Sequence, residues 1–339
     1  MSIKLDTALV TTALKDIPAA ARSAEEAGFD CLWTADTGHD PFLPLVLAAE
    51  HTERVKLGTS IAVAFPRSPM VTAMIGWDLA ELSGGRFMLG LGTQVKGHIE
   101  RRFGVKWEAP GPRMRDYIGA LRAIWECWAK GTPLHYESEH YNHTLMTPFF
   151  APGPMNHWEI PIYIAGVNDY MCRLAGELCQ GLHVHPFHSI EYLKKTVLPN
   201  VEDGLKKSGR TRKDIALSSS VFVITGHDKD EIESAKALVK QQISFYASTR
   251  TYLKVLEANG FGEKSEKLNA MSRRGDWGSM ADAITDEMLE CYAVIGEPDE
   301  IPGKVQARYE GILDRLAFYF PYTPDDRGRW APIIKAFNG

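Results

Sequence analysis

The chain has 339 residues, of which 38 are Lys or Arg and 43 are Asp or Glu, so its formal net charge is −5. With 45% hydrophobic and 24% charged residues, the composition is that of a folded globular protein and excludes a disordered or collagen-like chain. The acidic balance argues against binding to nucleic acid, which needs a row of cations against the phosphates. No stretch approaches the roughly 18 uninterrupted apolar residues of a membrane span, and the acidic residue Asp6 precedes any apolar segment that a secretory signal would need.

The cysteines indicate a reducing compartment. Their number is odd, and no two of them form the C-x-x-C pair of a zinc or redox motif. We therefore expect free thiols that pack as small apolar side chains in a cytoplasmic protein. The five cysteines are Cys31, Cys127, Cys172, Cys179 and Cys291.

Strand and helix patterns alternate from the first residues onwards. An apolar run at residues 5–10 carries little charge, which predicts a buried strand. The helical pattern that follows has Pro18 in its first turn and ends at Gly28. The same reasoning predicts strands at residues 5–10, 29–34, 55–61, 86–92, 161–165, 181–185, 217–224 and 316–320. Two further helices are predicted at residues 42–51 and 69–82.

Three strand–helix–strand units at the start of the chain imply a parallel sheet with right-handed crossovers. Eight parallel strands separated by helices are the number that closes a (β/α)8, or TIM, barrel. We therefore predict an α/β protein with a single domain, residues 1–339. Insertions are expected after the fourth strand, at about 93–159, and after the seventh, at about 226–313. The first insertion contains an aromatic, His-rich segment at 135–150, which is either a lid or an oligomer contact.

Chemistry in such barrels takes place at the carboxyl ends of the strands. After the second strand come Asp36, an acceptor, and His39, a titratable donor, although an acidic residue here also fits as a helix cap. After the fourth strand come Gln94 and His98. These side chains are the first candidates for a polar site at the barrel mouth.

Glycines mark two of the strand ends. Gly90 and Gly92 do not have the spacing of the dinucleotide-binding fingerprint, and we expect them to let a flat ring approach the backbone. After the fifth strand, Gly166 leads into a helix that Asn168 or Asp169 caps. Free backbone N–H groups at such a helix start are suited to binding a phosphate.

His183 and His185 alternate on the sixth strand, so both side chains point to the same face. This pair is compatible with a metal site in a barrel metallohydrolase. Such a site needs further ligands from other strand ends, and the ends of the first, fifth, seventh and eighth strands carry no histidine. We therefore favour histidines that line a pocket and expect no bound metal, with the metallohydrolase kept as an alternative.

Several segments together resemble one family. They are residues 27–33 (AGFDCLW), 57–60 (LGTS), 66–69 (PRSP), 82–93 (LSGGRFMLGLGT) and 161–166 (PIYIAG). The chain resembles the luciferase-like monooxygenase superfamily, and within it the branch of coenzyme F420-dependent oxidoreductases. The resemblance runs from Leu5 to about Phe320, and it implies a (β/α)8 barrel that binds a flavin or a deazaflavin.

The resemblance also implies roles for particular residues. A non-proline cis peptide bond would fall at Ser60–Ile61 and support the cofactor ring from behind, and the turn after the fifth strand would hold the phosphate. The implied cofactor-binding residues are Asp36, Ser60, Ile61, Val63, Gly166, Val167 and Asn168. The implied substrate pocket contains Trp33, Phe65, Gln94 and His185.

The family's acid/base pair is not present in its usual form. Deazaflavin dehydrogenases have a His directly after the acid of the second strand, where this chain has Thr37. They have a Glu after the Gly-Thr of the fourth strand, where this chain has Gln94. The resemblance therefore leaves His39 and His98 as the candidate proton donors.

We expect an F420-dependent oxidoreductase that transfers a hydride between ring carbon C5 and a small organic substrate. The alternative is an FMN-dependent monooxygenase that uses molecular oxygen and a separate flavin reductase. A non-catalytic flavin-binding relative is a third possibility, against which the polar residues at the strand ends argue. Related barrels usually pair, so the resemblance also implies a homodimer.

Overall fold

The structure, a computed structural model, describes residues 3–10 and 13–338. Its strands are β1 (Lys4–Ala8), β2 (Cys31–Thr34), β3 (Lys56–Thr59), β4 (Ala62–Val63), β5 (Phe87–Gly92), β6 (Tyr136–Glu137), β7 (Asn142–His143), β8 (Ile162–Gly166), β9 (Gly181–Val184), β10 (Ala216–Ile224), β11 (Ala293–Ile295) and β12 (Arg315–Phe318). Its first seven α-helices are α1 (Ile17–Ala27), α2 (Leu43–His51), α3 (Pro69–Leu82), α4 (Lys96–Arg101), α5 (Pro110–Lys130), α6 (Asp169–Leu178) and α7 (Ile190–Tyr192). The others are α8 (Leu198–Lys207), α9 (Lys229–Ala247), α10 (Leu253–Glu257), α11 (Gly262–Arg274), α12 (Asp286–Tyr292), α13 (Ile301–Tyr309) and α14 (Arg327–Asn338).

Eight of these strands close a parallel barrel in the order β1, β2, β3, β5, β8, β9, β10 and β12. The closure is direct, because Leu5 in β1 lies opposite Leu316 in β12. The predicted TIM barrel is confirmed, and every predicted barrel strand agrees with an observed one to within two residues at each end. We call the end of the barrel at which these strands finish the barrel mouth.

Local signals explain where the helices around the barrel begin and end. The Ser68 hydroxyl accepts a hydrogen bond from a backbone N–H in the first turn of α3, and Pro69 opens that helix, where a missing N–H carries no penalty. Helix α1 ends at Gly28, whose φ of 102° is left-handed and favours glycine. These two helices flank β2 and β3, the strands that lead to the candidate site.

The predicted third strand is interrupted. It leaves the sheet after Thr59, passes through a cis peptide bond between Ser60 and Ile61, and resumes as β4, which pairs with β5. The cis bond that the resemblance places at Ser60–Ile61 is confirmed. The interruption brings the backbone of this segment to the barrel mouth.

The base of the barrel interior is closed by a buried polar cluster. The Arg315 guanidinium donates to both carboxylate oxygens of Asp6, at 2.7 and 2.9 Å, and the Trp33 indole adds a third bond at 2.8 Å. Burial raises the pKa of Asp6 to about 6, although Arg315 opposes this shift. The carboxylate therefore stays ionised at neutral pH. Met88 and Tyr163 complete this layer.

Helices and short strands occupy the two segments predicted as insertions. After β5 come α4, α5 and the antiparallel hairpin of β6 and β7. This hairpin lies along α5, where the His140 ring is 2.7 Å from the Asp116 carboxylate. After β10 come α9 to α13, together with β11, which the sequence analysis did not predict and which pairs with β10. Among the described residues, no helix is both long and apolar enough to cross a membrane.

Candidate active site

Asp36 is held at the end of β2 by two donors. The Arg67 guanidinium donates to its Oδ2 at 2.6 Å, and the Val63 backbone N–H donates to the same oxygen at 3.1 Å. Arg67 also bonds Asp40 at 2.9 Å, so it links two carboxylates of the loop after β2. Within the described part of the chain, every hydrogen bond to the Asp36 carboxylate ends on Oδ2, which leaves Oδ1 able to accept from a ligand.

The cis bond lies beside Asp36. The Asp36 backbone N–H donates to the Ile61 carbonyl oxygen at 3.0 Å, and the Ser60 N–H donates to the Thr34 carbonyl oxygen at 2.6 Å. Ser60, Ile61 and Val63 are therefore fixed against the end of β2. The structure thus brings together four of the predicted cofactor residues on one side of the mouth.

Gly90 and Gly92 have a different role from the one expected of them. A Cβ at Gly90 would lie 1.8 Å from the Thr59 carbonyl oxygen, and a Cβ at Gly92 would lie 2.6 Å from the Ile61 side chain. The two glycines therefore make room for the backbone segment that carries the cis bond. The expectation that they let a flat ring approach the backbone is wrong, because the chain itself fills that space.

The two candidate proton donors lie on neighbouring segments. His39 is exposed in the loop after β2, and His98 is exposed on α4. The Arg102 side chain donates to the Thr37 carbonyl oxygen, so the end of α4 lies against the loop that carries His39. Gln94, at the end of β5, has a left-handed φ of 59°, and its side chain accepts from the next backbone N–H at 3.0 Å.

Phe65 is a buried aromatic side chain close to the cis bond. The Arg113 guanidinium lies 4.5 Å from its ring centre, and the Trp107 ring lies 6.3 Å away. Arg113 also donates to the Tyr141 hydroxyl at 3.0 Å. The first insertion therefore places the Arg113 guanidinium and the Trp107 ring against Phe65.

Helix α6 begins directly beyond β8 with an intact cap. The Asn168 side chain accepts from the Met171 N–H at 2.9 Å, which confirms the predicted cap. The backbone N–H groups of Asn168, Asp169 and Tyr170 have no acceptor among the described residues. Asp169 is paired with Lys254 at 3.0 Å, so its negative charge is partly neutralised at this helix start.

The predicted pocket residue Trp33 belongs to the buried layer at the base of the barrel. It is 5% exposed, and its ring centre is 4.8 Å from that of His183. Burial lowers the pKa of His183 to about 3, so this imidazole is neutral at physiological pH. Among residues 3–10 and 13–338 there is no group of three or more His, Cys, Asp and Glu side chains placed to hold a metal ion.

His185 lies higher, directly after β9, among aromatic side chains. The Tyr246 and Tyr252 ring centres are 4.6 and 4.4 Å from its own. The hydroxyl of Tyr246 is in turn 2.7 Å from that of Tyr319, the residue after β12. Burial lowers the pKa of His185 to about 3.

The sequence analysis missed all three tyrosines. The alternation of Arg315, Ala317 and Tyr319 along the last strand was a usable signal, because it places Tyr319 on the interior face. Tyr246 and Tyr252 gave no such signal, since they lie on a helix and a turn of the second insertion. Arg67 belonged to the resemblance segment, but its ion pair with Asp36 follows only from the fold.

A family model described as luciferase-like monooxygenase matches residues 1–315. The chain is 47% identical over 297 residues to the uncharacterized protein Rv1360 of Mycobacterium tuberculosis, which covers 88% of this chain and 87% of that protein. It is 29% identical over 311 residues to the 5,10-methylenetetrahydromethanopterin reductase of Archaeoglobus fulgidus, covering 90% and 89% of the two chains.

Two solved structures share the fold. The coenzyme F420-dependent tetrahydromethanopterin reductase of Methanopyrus kandleri superposes with a TM-score of 0.79 at 22% identity and covers 99% of this chain and 98% of its own. The oxygenating constituent of 3,6-diketocamphane monooxygenase from Pseudomonas putida, solved with FMN, has a TM-score of 0.69 at 18% identity and covers 99% and 96%. The same fold therefore occurs in a coenzyme F420-dependent reductase and in a monooxygenase solved with FMN.

Proposed function

Because the chain belongs to the luciferase-like monooxygenase family, whose characterised relatives are oxidoreductases and monooxygenases, we propose that it is an F420-dependent oxidoreductase. It transfers a hydride between C5 of the deazaflavin and a small organic substrate. The observation that supports this most is the 29% identity, over nine-tenths of the chain, to a methylenetetrahydromethanopterin reductase. The tetrahydromethanopterin reductase among the solved structures is F420-dependent.

The residues at the mouth fit such a cofactor. Oδ1 of Asp36 is able to accept a hydrogen bond, because Arg67 and Val63 both bond Oδ2. On β8's side of the mouth, three backbone N–H groups at the start of α6 lack an acceptor among the described residues. A helix start of this kind binds a phosphate through its N–H groups and its dipole.

In this proposal, different residues of the chain bind different parts of the cofactor. Bound F420 would supply the hydride exchange at C5. The segment from Ser60 to Val63 would hold the ring, and Oδ1 of Asp36 would accept a hydrogen bond from it. Gly166, Val167 and Asn168 would hold the phosphate. A Cβ at Gly166 would lie 3.0 Å from both Leu182 and Met171, so any larger residue there displaces the turn.

The proton that accompanies the hydride is assigned to the exposed histidines. His39 and His98 lie on segments that touch through Arg102, and a positioned imidazole is the side chain most often used to give or take a proton. The space proposed for the substrate is lined or underlain by the side chains of Phe65, Gln94, Trp33 and His185. Their part is to shape it and to exclude water.

The second candidate is an FMN-dependent monooxygenase that uses oxygen and a separate flavin reductase. The observation in its favour is the shared fold with a monooxygenase solved with FMN. The fold alone does not separate the two cofactors. Titration of the cofactor-free chain with F420 and with FMN distinguishes them, and we expect F420 to bind more tightly.

The proposal also covers the domain organisation, the cellular compartment and the oligomeric state of the enzyme. The whole chain acts as one barrel domain in the cytoplasm, where its five free cysteines stay reduced. Two copies pair through α2 and α3, which pack side by side on the barrel. The support for this is that both helices carry exposed apolar side chains, among them Leu43, Val46, Val71 and Met74.

A further inference from the structure

Four partly exposed aromatic side chains meet on one side of the barrel mouth. His185 follows β9, Tyr319 follows β12, and the second insertion contributes Tyr246 and Tyr252. The His185 ring packs against those of Tyr246 and Tyr252, and the Tyr246 hydroxyl bonds that of Tyr319 at 2.7 Å. We call these four residues the aromatic wall. Helix α9 of the insertion closes the wall over the end of β10.

The tautomer of His185 is fixed by its neighbour. The Phe187 backbone N–H donates to Nδ1 of His185 at 3.1 Å, so Nδ1 carries a lone pair. Burial keeps the ring neutral at physiological pH by lowering its pKa. The single ring proton must then be on Nε2, and among the described residues Nε2 has no acceptor. His185 therefore presents an unused hydrogen-bond donor.

The aromatic wall is electrically neutral. Burial raises the pKa of Tyr246, Tyr252 and Tyr319, so all three phenols keep their protons. None of the four side chains makes a hydrogen bond or ring contact with a charged side chain in the part of the chain that the structure describes. Lys254, next to this segment, is paired with Asp169.

The wall faces the cis bond across the mouth. In the barrel order, β3 is the third strand, while β9, β10 and β12 are the sixth, seventh and eighth. The third and seventh positions of an eight-stranded barrel are diametrically opposed. A flat cofactor against Ser60 and Ile61 therefore leaves the wall for the second reactant.

We propose that the aromatic wall binds an uncharged, flat substrate that carries a carbonyl oxygen, and that His185 Nε2–H donates a hydrogen bond to that oxygen. This inference rests on the proposed function in one respect only, namely that the molecule on the wall is the partner in hydride transfer. His185 acts here as a binding residue and keeps its proton.

The chemistry of the wall selects this class of substrate. Aromatic side chains offer large flat contact areas, which suit a conjugated or planar molecule. An ionised group placed against four neutral side chains loses its hydration without gaining a counter-ion, which is costly. The unused donor at Nε2 is satisfied by an acceptor such as a ketone, aldehyde or amide oxygen.

Two probes of equal shape and different charge test the inference. The full-length chain without added cofactor is titrated calorimetrically with 2-acetonaphthone, a neutral ketone, and with 2-naphthoate, its anionic counterpart. We expect the ketone to bind at least roughly tenfold more tightly, since the anion pays the desolvation cost. Equal binding of the two, or tighter binding of the anion, overturns the proposal.

Two substitutions at one position assign the contact to Nε2. His185→Asn keeps an oxygen near Nδ1 for the Phe187 N–H but lacks the Nε2 donor, so ketone affinity should fall roughly five- to tenfold. His185→Gln places an amide N–H near the former Nε2 and should restore most of it. The matched control His227→Asn changes an exposed histidine whose side chain has no hydrogen bond or ring contact among the described residues, and it should leave affinity unaltered. Undiminished ketone binding in His185→Asn overturns the proposal.

A change that keeps every ring in place tests the wall independently. Tyr246→Phe removes the hydroxyl that bonds Tyr319 and should also weaken ketone binding.

Failure of this inference and failure of the proposed function are distinguishable. A chain that binds the ketone through His185 but does not bind F420 contradicts the proposed function alone. A chain that binds F420 but does not prefer the ketone contradicts this inference alone.

Discussion

At the scale of single residues, the histidines in the barrel and around its mouth fall into two chemical groups. His183, His185 and His188 have pKa values that burial lowers to about 3, 3 and 4. These rings are neutral under physiological conditions and donate or accept hydrogen bonds without giving up a proton. His39 is exposed on the loop after β2 and His98 on α4, and these two segments touch through Arg102. We therefore propose that proton transfer to a substrate falls to the second group.

Replacing His39 tests that assignment. His39→Ala should lower turnover with reduced F420 by roughly a hundredfold or more, which is the usual contribution of a general acid, while the dissociation constant of F420 changes little. Steady-state rates and a fluorescence titration measure the two quantities separately. His227→Ala serves as the control for loss of an exposed imidazole. An unchanged rate in His39→Ala removes this residue from the mechanism and leaves His98 as the candidate.

The sequence predicts the position of a residue where a motif fixes it. It does not predict how deep inside the barrel a side chain lies. Asp36 and the cis bond at Ser60–Ile61 follow from matched segments, and the structure places them side by side. Trp33 was expected in the pocket, and the structure places it against Asp6 and His183 in the buried layer. Strand alternation gives the face of a side chain but not its height in the barrel.

At the scale of elements, the barrel strands were readable because buried parallel strands are short apolar runs between helices. The short helices of the insertions were not, since they have no strong period, and neither was β11, which has only three residues. The aromatic wall depends on how α9 and the turn after it fold back over the mouth. That arrangement joins residues far apart in the chain, which no local pattern records.

A substitution at the start of α6 tests F420 binding separately from the stability of the fold. Asn168→Asp keeps a good N-cap but places a carboxylate where the phosphate of F420 is proposed to lie. We expect unchanged thermal stability and at least roughly tenfold weaker F420 binding, because the introduced carboxylate and the phosphate carry like charges. Thermal unfolding and fluorescence titration measure the two effects.

Asn168→Ser is the matched control for this test. It retains the cap through its hydroxyl and adds no charge, so both stability and F420 affinity should stay close to those of the native chain. Equal F420 affinity in Asn168→Asp and Asn168→Ser would show that the phosphate lies elsewhere. That result would remove Gly166, Val167 and Asn168 from the proposed site.

At the scale of the whole molecule, the buried histidines make the fold sensitive to acid. Their pKa values in the fold lie below the ordinary 6.5, so below pH 6.5 the unfolded chain binds protons that the folded chain does not. Their contribution to stability is complete above pH 6.5 and is lost as the pH falls towards 3. The free energy of unfolding, measured in urea, should therefore decrease from pH 6.5 downwards.

Replacing His188 measures the contribution of one buried histidine to the pH dependence of the free energy of unfolding. Its Nδ1 lies 2.8 Å from the His185 carbonyl oxygen, and the residue is 1% exposed. His188→Gln should flatten the dependence by about 1.4 kcal/mol per pH unit between about pH 6 and 4.5, since one titrating group is removed. His227→Gln, at an exposed site, should leave the slope unchanged. A slope that His188→Gln does not alter contradicts the assignment.

The central claim is the identity of the cofactor, and equilibrium binding tests it most directly. The cofactor-free chain is titrated with F420 and with FMN, and quenching of the protein's tryptophan fluorescence reports each dissociation constant. Asp36→Asn should weaken F420 binding roughly tenfold, whereas Asp78→Asn, on the exposed face of α3, should not. We predict that F420 binds more tightly than FMN. Tighter binding of FMN would contradict the claim and assign the chain to the oxygen-using monooxygenases.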